Sequence, residues 1–204
     1  MFRLVLSLMA VIGLAACGAD PKWASDAEVQ AARFVAGPPT YITLYTVLNN
    51  TSNAGAHSAI LVNASERVIF DPAGTWYHPR LPERNDVHFG MTDKMVAFYI
   101  DYHARKTFRV VEQKVFVTPE VAELVLARVK AYGAVPKAMC TRATSSVLRG
   151  VPGFESLPAT LFPKQLSVEF GKLPGVTTKT ITDDDDDNNH GVLLMQANGK
   201  PVEG

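Results

Sequence analysis

The sequence predicts an α+β domain in which helices pack on an antiparallel sheet. Short runs rich in β-branched and aromatic residues at 41–48, 57–63, 67–71 and 108–117 read as strands. Only Ala64-Ser65-Glu66 separates the second run from the third, which makes them a hairpin. Residues 121–132 form a clear amphipathic helix and 140–149 a second one. Their apolar faces need the sheet, because the chain offers no other large surface to cover them.

Each element has local signals of its own. Ser25 and Glu28 stand at capping-box spacing before a weakly amphipathic helix carrying Val29, Ala32 and Phe34, which Gly37-Pro38-Pro39 stops. Residues 41–48 (YITLYTVL) are followed by a polar turn through Asn53 and Gly55. Pro72-Ala73-Gly74 closes the hairpin's return strand, and a long irregular connection runs from Trp76 to about Gly90. In that connection Trp76, Tyr77 and Phe89 are expected to wall a pocket. Thr92 caps a helix over 93–103 with Met95, Phe98, Tyr99 and Tyr102 on one side. Thr118-Pro119 places a cap and a first-turn proline ahead of the 121–132 helix, which Gly133 ends. Pro163 starts a short helix to Phe170, and Pro174-Gly175 breaks it. The five aspartates 183–187 read as a solvated loop. They lack the turn glycine and distal glutamate of a calcium loop.

The N-terminus points to export. Arg3 precedes a short apolar run, Leu4 to Leu14, that is too short for an ordinary membrane span. It ends in Leu14-Ala15-Ala16-Cys17-Gly18, which resembles the lipobox of bacterial lipoproteins. The resemblance implies that Cys17 is acylated and becomes the mature N-terminus, so that a lipid anchors the chain in the cell envelope. With no aspartate after the cysteine, it further implies the periplasmic face of the outer membrane. The expected organisation is a signal peptide at 1–16, a tether with a short helix at 17–38, one domain at 39–178 and an acidic, flexible tail at 179–204. Twenty basic residues balance twenty acidic ones, and no basic patch points to nucleic acid.

The chain has two cysteines. Lipid on the Cys17 sulfur precludes a disulfide between them, and Cys140 is then a lone thiol in an oxidising compartment. Cys140 opens a helix, where unpaired N–H groups and the positive end of the dipole favour thiolate. The bland reading is a small buried residue, since free cysteine is among the most buried types. A nucleophilic thiol needs a base and usually a group to orient that base. Of five histidines, His57 opens a strand, and Asp71 ends the return strand of the same hairpin, within reach of a ring N–H. Asp71 before Pro72 is also good turn chemistry in its own right. A metal site from His57, His78, His88, His103 and Cys140 has no H-x-x-x-H or C-x-x-C pair behind it, and no cofactor is expected.

The order His57 on a strand, Asp71 on its neighbour and Cys140 later at a helix start resembles the circularly permuted papain-like hydrolases. These are the permuted NlpC-type branch that includes lecithin retinol acyltransferase and bacterial envelope lipoproteins. The His57-Ser58-Ala59-Ile60-Leu61-Val62 run is similar to that family's histidine strand, and Cys140-Thr141-Arg142-Ala143-Thr144 to its cysteine helix. The likeness covers roughly residues 41–150. Met139 stands where the family often has Asn, and Asp71 where His or another polar group is common. The resemblance implies a permuted papain-like fold and a Cys140–His57–Asp71 site acting on an amide or peptide bond, of cell-wall peptide for example. Acyl hydrolysis or transfer on a lipid is the alternative within that family. A non-catalytic envelope lipoprotein with a structural or partner-binding role is the alternative outside it.

Overall fold

The computed structural model describes residues 18–199. The expected signal peptide and Cys17 therefore lie outside the described residues. A seven-stranded sheet, antiparallel throughout, forms the middle layer, in the order β4-β5-β3-β2-β1-β6-β7. The strands are β1 (Tyr41–Asn49), β2 (Gly55–Asn63), β3 (Arg67–Phe70), β4 (Glu83–Arg84), β5 (Val87–Phe89), β6 (Phe108–Phe116) and β7 (Thr177–Ile181). Among the described residues, six helices flank it: α1 (Asp26–Ala32), α2 (Asp93–His103), α3 (Pro119–Ala131), α4 (Cys140–Leu148), α5 (Pro163–Phe170) and α6 (Asn189–Ala197).

The central strand β1 is buried on both faces, which is why 41–48 reads as a near-continuous apolar and β-branched run. Its even positions Ile42 and Leu44 join Ile60 and Val62 of β2 in one core with α3, α4 and α5, through residues such as Val125, Val147 and Phe170. On the other face, Tyr45, Ala59, Leu61 and Ile69 pack with Phe98, Tyr99 and Tyr102 of α2 and Val192 and Leu193 of α6. The period-2 alternation of a strand thus separates two cores, and helices cover both.

Three expectations are corrected. Residues 179–199 carry regular structure: the expected boundary at 178/179 falls inside β7, which pairs with β6 from Lys114↔Thr177 to Val110↔Ile181. The acidic run beyond it is bound rather than merely solvated. Asp185 pairs with Arg105 at 3.1 Å, and Asp187 accepts the Thr107 N–H at 3.0 Å. Neither strand nor helix stands out in this tail because β7 has no buried side of its own and α6 is short. Residues 18–38 are also more than a tether. Ser25 and Glu28 do form the capping box of α1. However, Trp23 bridges Arg84, and the Phe34 carbonyl accepts the Arg67 N–H at 2.9 Å, so the segment closes the β4 side of the fold. Finally, Trp76 and Phe89 are 2% and 3% exposed and belong to the cores, not to a pocket wall; Tyr77 is exposed. The connection that carries them contains β4 and β5, two and three residues long, too short to show a period.

Candidate active site

β3 pairs with β2 only between Ile60↔Phe70 and Asn63↔Arg67, so His57 to Ala59 have no strand neighbour on that side. The start of α4 fills this gap. The Ser58 backbone N–H is directed at the Cys140 sulfur. Thr144 Oγ1 lies 3.4 Å from the Ser58 carbonyl and donates to the Cys140 carbonyl at 2.9 Å. Cys140 and Thr144 are four residues apart on one helix face, which is the spacing needed to meet both polar groups of one extended residue. Ser58 Oγ adds a bond to Thr141 Oγ1 at 3.1 Å. An open sheet edge leaves backbone groups unsatisfied, and here the start of a helix covers them with a thiol and a hydroxyl.

Asp71 follows Phe70, the partner of Ile60, so its side chain falls on the face shared by Ala59 and His57. His57 Nε2 lies 2.6 Å from Asp71 Oδ1, which also accepts from the Tyr99 hydroxyl at 2.7 Å. The Asp71 side chain is fully buried, and that of His57 is 14% exposed. The structure therefore brings together all three residues that the sequence singled out.

Their electrostatics form one system. Burial opposes charge on the His57 ring, but the Asp71 carboxylate, by charge and hydrogen bond, and the Cys140 sulfur override it and raise the imidazole to about 10. Burial likewise opposes thiolate. The hydrogen bond and charge of His57, the Thr141 hydroxyl and the Ser58 N–H outweigh it and bring Cys140 down to about 7. Burial would push the Asp71 carboxyl up, yet the charge and hydrogen bond of His57 hold it well below the usual carboxylate range. Between about 7 and about 10 these shifts favour a thiolate beside an imidazolium.

The N-cap of α4 is Met139, which offers no side-chain acceptor. The first N–H groups of α4 are thus left for another acceptor at the thiol. Ala138, just before it, has φ of 66°, an uncommon conformation for a residue with a Cβ, and turns the chain into the helix. Asp86 ties both halves of the site: its carbonyl accepts the Asp71 N–H and its carboxylate the Val135 N–H, each at 2.8 Å. Burial raises its carboxyl to about 6.

Gly74 closes the turn after Asp71, donating its N–H to the Asp71 carbonyl at 2.9 Å. A Cβ there would stand 1.7 Å from Asp71 Oδ2. Gly74→Ala is expected to push the carboxylate off His57 and to lower turnover about a hundredfold, the scale of an ångström-sized misplacement. Kinetics beside a melting curve checks this, since a folded Gly74→Ala protein with full turnover would contradict it.

Sequence reasoning missed Tyr99, Ser58 and Asp86 as site residues and weighed His103 only as a metal ligand. Tyr99 and His103 carried one usable signal: they lie four apart near the end of a helix, on its apolar side. His103 stacks on His57, rings 5.6 Å apart and 4° from parallel, and its Nδ1–H donates to the Tyr99 carbonyl at 2.8 Å. Burial lowers its imidazole to about 4, so it is neutral. Nitrogen or oxygen atoms of His57, Asp71 and His103 all lie within 4.8 Å of one another. A metal binds in the plane of an imidazole ring, however, and these two planes are parallel and stacked. The two rings thus offer a metal no common in-plane position. His78 and His88 are occupied elsewhere, His78 against the Gln196 carbonyl at 3.2 Å and His88 beside the Trp76 ring.

In comparisons with known proteins, no protein-family model, no curated protein and no solved structure matches the chain.

Proposed function

We propose that this chain is an envelope thiol hydrolase of the circularly permuted papain-like kind, with Cys140 as nucleophile, His57 as acid and base, and Asp71 as the orienting carboxylate. The observation that carries the reading is the continuous line from Cys140 through His57 to a buried Asp71 at 2.6 Å, with the thiol at about 7. The order of the three on strand, neighbouring strand and later helix supports the permuted fold.

In this reaction the Cys140 thiolate attacks an amide carbonyl carbon, forming the C–S bond. The developing oxyanion takes hydrogen bonds from the Cys140 N–H at the start of α4. A donor so placed typically contributes about 2.7–4 kcal/mol. His57 delivers its proton to the leaving nitrogen as the C–N bond breaks, then takes a proton from the water that opens the thioester. Asp71 and Tyr99 hold the ring in the tautomer and orientation these steps need. An amide or peptide bond, as in cell-wall peptide, is the proposed substrate. Incubating wild type and Cys140→Ser with cell-wall peptides and with membrane lipids, and reading products by mass spectrometry, tests it. Thiol-dependent cleavage of the peptides is expected. Thiol-dependent change in the lipids alone would move the reading to acyl hydrolysis or transfer, and no product from either would favour a non-catalytic lipoprotein.

The envelope location rests on the sequence around Cys17. The N-terminal peptide of the mature protein is expected to begin at Cys17 and carry bacterial acyl chains, and Cys17→Ser is expected to lose them. A wild-type peptide that begins elsewhere without lipid would remove the anchor.

A further inference from the structure

Two helices start against the first residues of β2, and both start on an exposed apolar side chain. A Cβ at Gly55 would stand 2.8 Å from Pro163 Cβ, so the start of α5 abuts β2 just ahead of His57. The start of α4 reaches Ser58 on the same strand. Among the described residues, the other four helices are capped by Ser25, Thr92, Thr118 and Asn188, whose side chains accept first-turn N–H groups. In that position α4 and α5 have Met139 and Phe162, which make no side-chain cap and are 39% and 67% exposed. Leu161 beside Phe162 is exposed as well. A polar residue at a cap stabilises the helix, so large apolar ones in water give up stability there.

Resting on the lipid-anchor reading above, we propose that this rim is a membrane-docking surface. It sits on the bilayer that holds the Cys17 acyl chains, with the thiol site opening at the headgroup layer.

The tether sets the orientation. The Lys22 carbonyl accepts the Asn85 N–H at 3.0 Å and Trp23 bridges Arg84, so the chain is fixed at the β4–β5 turn from Lys22 onward. Asp86, the next residue of that turn, holds the Asp71 N–H and the Val135 N–H, each at 2.8 Å. Val135 leads directly into Met139 and Cys140. The tether is therefore fastened at the site end of the sheet. Only Gly18 to Lys22 separate the anchor from that point, a reach of at most about 18 Å. From Trp23 at β4 to Phe162 at β2 the rim crosses three strand spacings, about 14 Å. An anchor on Cys17 thus holds this end of the sheet against the bilayer, while the β2–β3 turn at Ala64-Ser65-Glu66 points away. Trp23 is itself exposed on the rim, and tryptophan is enriched at membrane interfaces.

Charge agrees with this placement. Lys137, Arg142 and Lys164 lie within three residues of Met139 or Phe162, are exposed, and belong to no ion pair among the described residues. Lys22 and Arg84 are neutralised by Glu83 and Asp26, and Asp20 is the one acid on the tether. The acidic run is held at the far edge, beyond β1, where Asp185 and Asp187 bind Arg105 and Thr107 just ahead of β6. An anionic surface attracts the first half of this end and repels the second. The β4–β2 half therefore settles on the lipid, and the β6–β7 half stays in water.

The chain's own tryptophans supply the test. They are Trp23 and the buried Trp76. The mature lipoprotein is reconstituted in vesicles of phosphatidylethanolamine and phosphatidylglycerol with acyl chains brominated near the headgroup. Quenching of wild-type fluorescence is expected to fall several-fold in Trp23→Phe, which leaves only Trp76, and to return when Phe162→Trp is added. Met139→Ser with Phe162→Ser should cut Trp23 quenching several-fold while the melting temperature stays equal or rises, because serine caps both helices. Lys137→Glu, Arg142→Glu and Lys164→Glu together should also cut it, as should phosphatidylcholine in place of phosphatidylglycerol, or high salt. Reporters left unquenched in vesicle-held protein would overturn the docking and leave the anchor standing. A dimer in detergent that Phe162→Ser dissolves, with the reporters unquenched, would give the rim to a second copy and overturn bilayer docking. A mature N-terminus without lipid would overturn the anchor, and the docking with it. None of these outcomes bears on the thiol chemistry, which Cys140→Ser tests separately.

Discussion

Cys140→Ala is expected to lose amide hydrolysis to background, a fall on the order of 10⁴-fold or more, and His57→Ala to fall nearly as far. The two groups act as a unit: a thiol without the imidazolium loses its charge partner, and an imidazole without the thiol has no nucleophile to serve. His57 is held in place by β2 and by the 2.6 Å bond to Asp71, and Cys140 by the backbone of Ser58 on that same strand. The double variant is therefore expected to be no worse than Cys140→Ala. Melting curves for each variant separate lost chemistry from lost fold. Cys140→Ala should cost little stability, whereas His57→Ala leaves the fully buried Asp71 carboxylate without its ion-pair partner and should lower the melting point measurably. Full turnover by Cys140→Ala on the protein's own substrate would end the proposal.

The second large effect is in pH dependence. Thiolate at Cys140 forms as pH rises through about 7, and the His57 proton is lost as pH rises through about 10. The reactive ion pair is therefore populated between those values. Turnover should follow a bell with its acid limb near 7 and its alkaline limb near 10. Alkylation of Cys140 by iodoacetamide should rise along the acid limb alone, since it needs only thiolate. His57→Ala removes the charge that lowers the thiol, and the alkylation midpoint should move up toward the free value of about 8.5. At pH 6 that shift corresponds to roughly a 30-fold drop in thiolate and thus in alkylation rate. An alkylation midpoint unchanged in His57→Ala would mean that the helix start and the Ser58 amide alone activate the sulfur, with His57 reduced to proton transfer.

Asp71 supports both effects from behind. Its carboxylate raises His57, and His57 lowers Cys140, so Asp71→Asn should act on the thiol only through the ring. A smaller shift than that of His57→Ala is the expected order.

Much of this molecule was legible in its sequence because the signals are local. β-branched runs, a capping box at Ser25, caps at Thr92 and Thr118, and stop signals at Gly133 and Pro174 each act within one or two turns of chain. They placed β1, β2, β3, β6 and all helices but α6 within about two residues. The pairing of His57 with Asp71 was equally local, since one hairpin carries both. Tertiary structure decided the rest. β7 and the acidic loop make sense only against β6, Arg105 and Thr107, partners about sixty to eighty residues away. Trp76 is core and not pocket because His88 and Tyr99 close around it. His103 joined the site because α2 lays its last turn over β2. The gap beside His57 to Ala59, which lets Cys140 reach the ring at all, exists because β3 stops at Phe70. Residue types can name a nucleophile and a base, but only the place where a strand ends can bring them together.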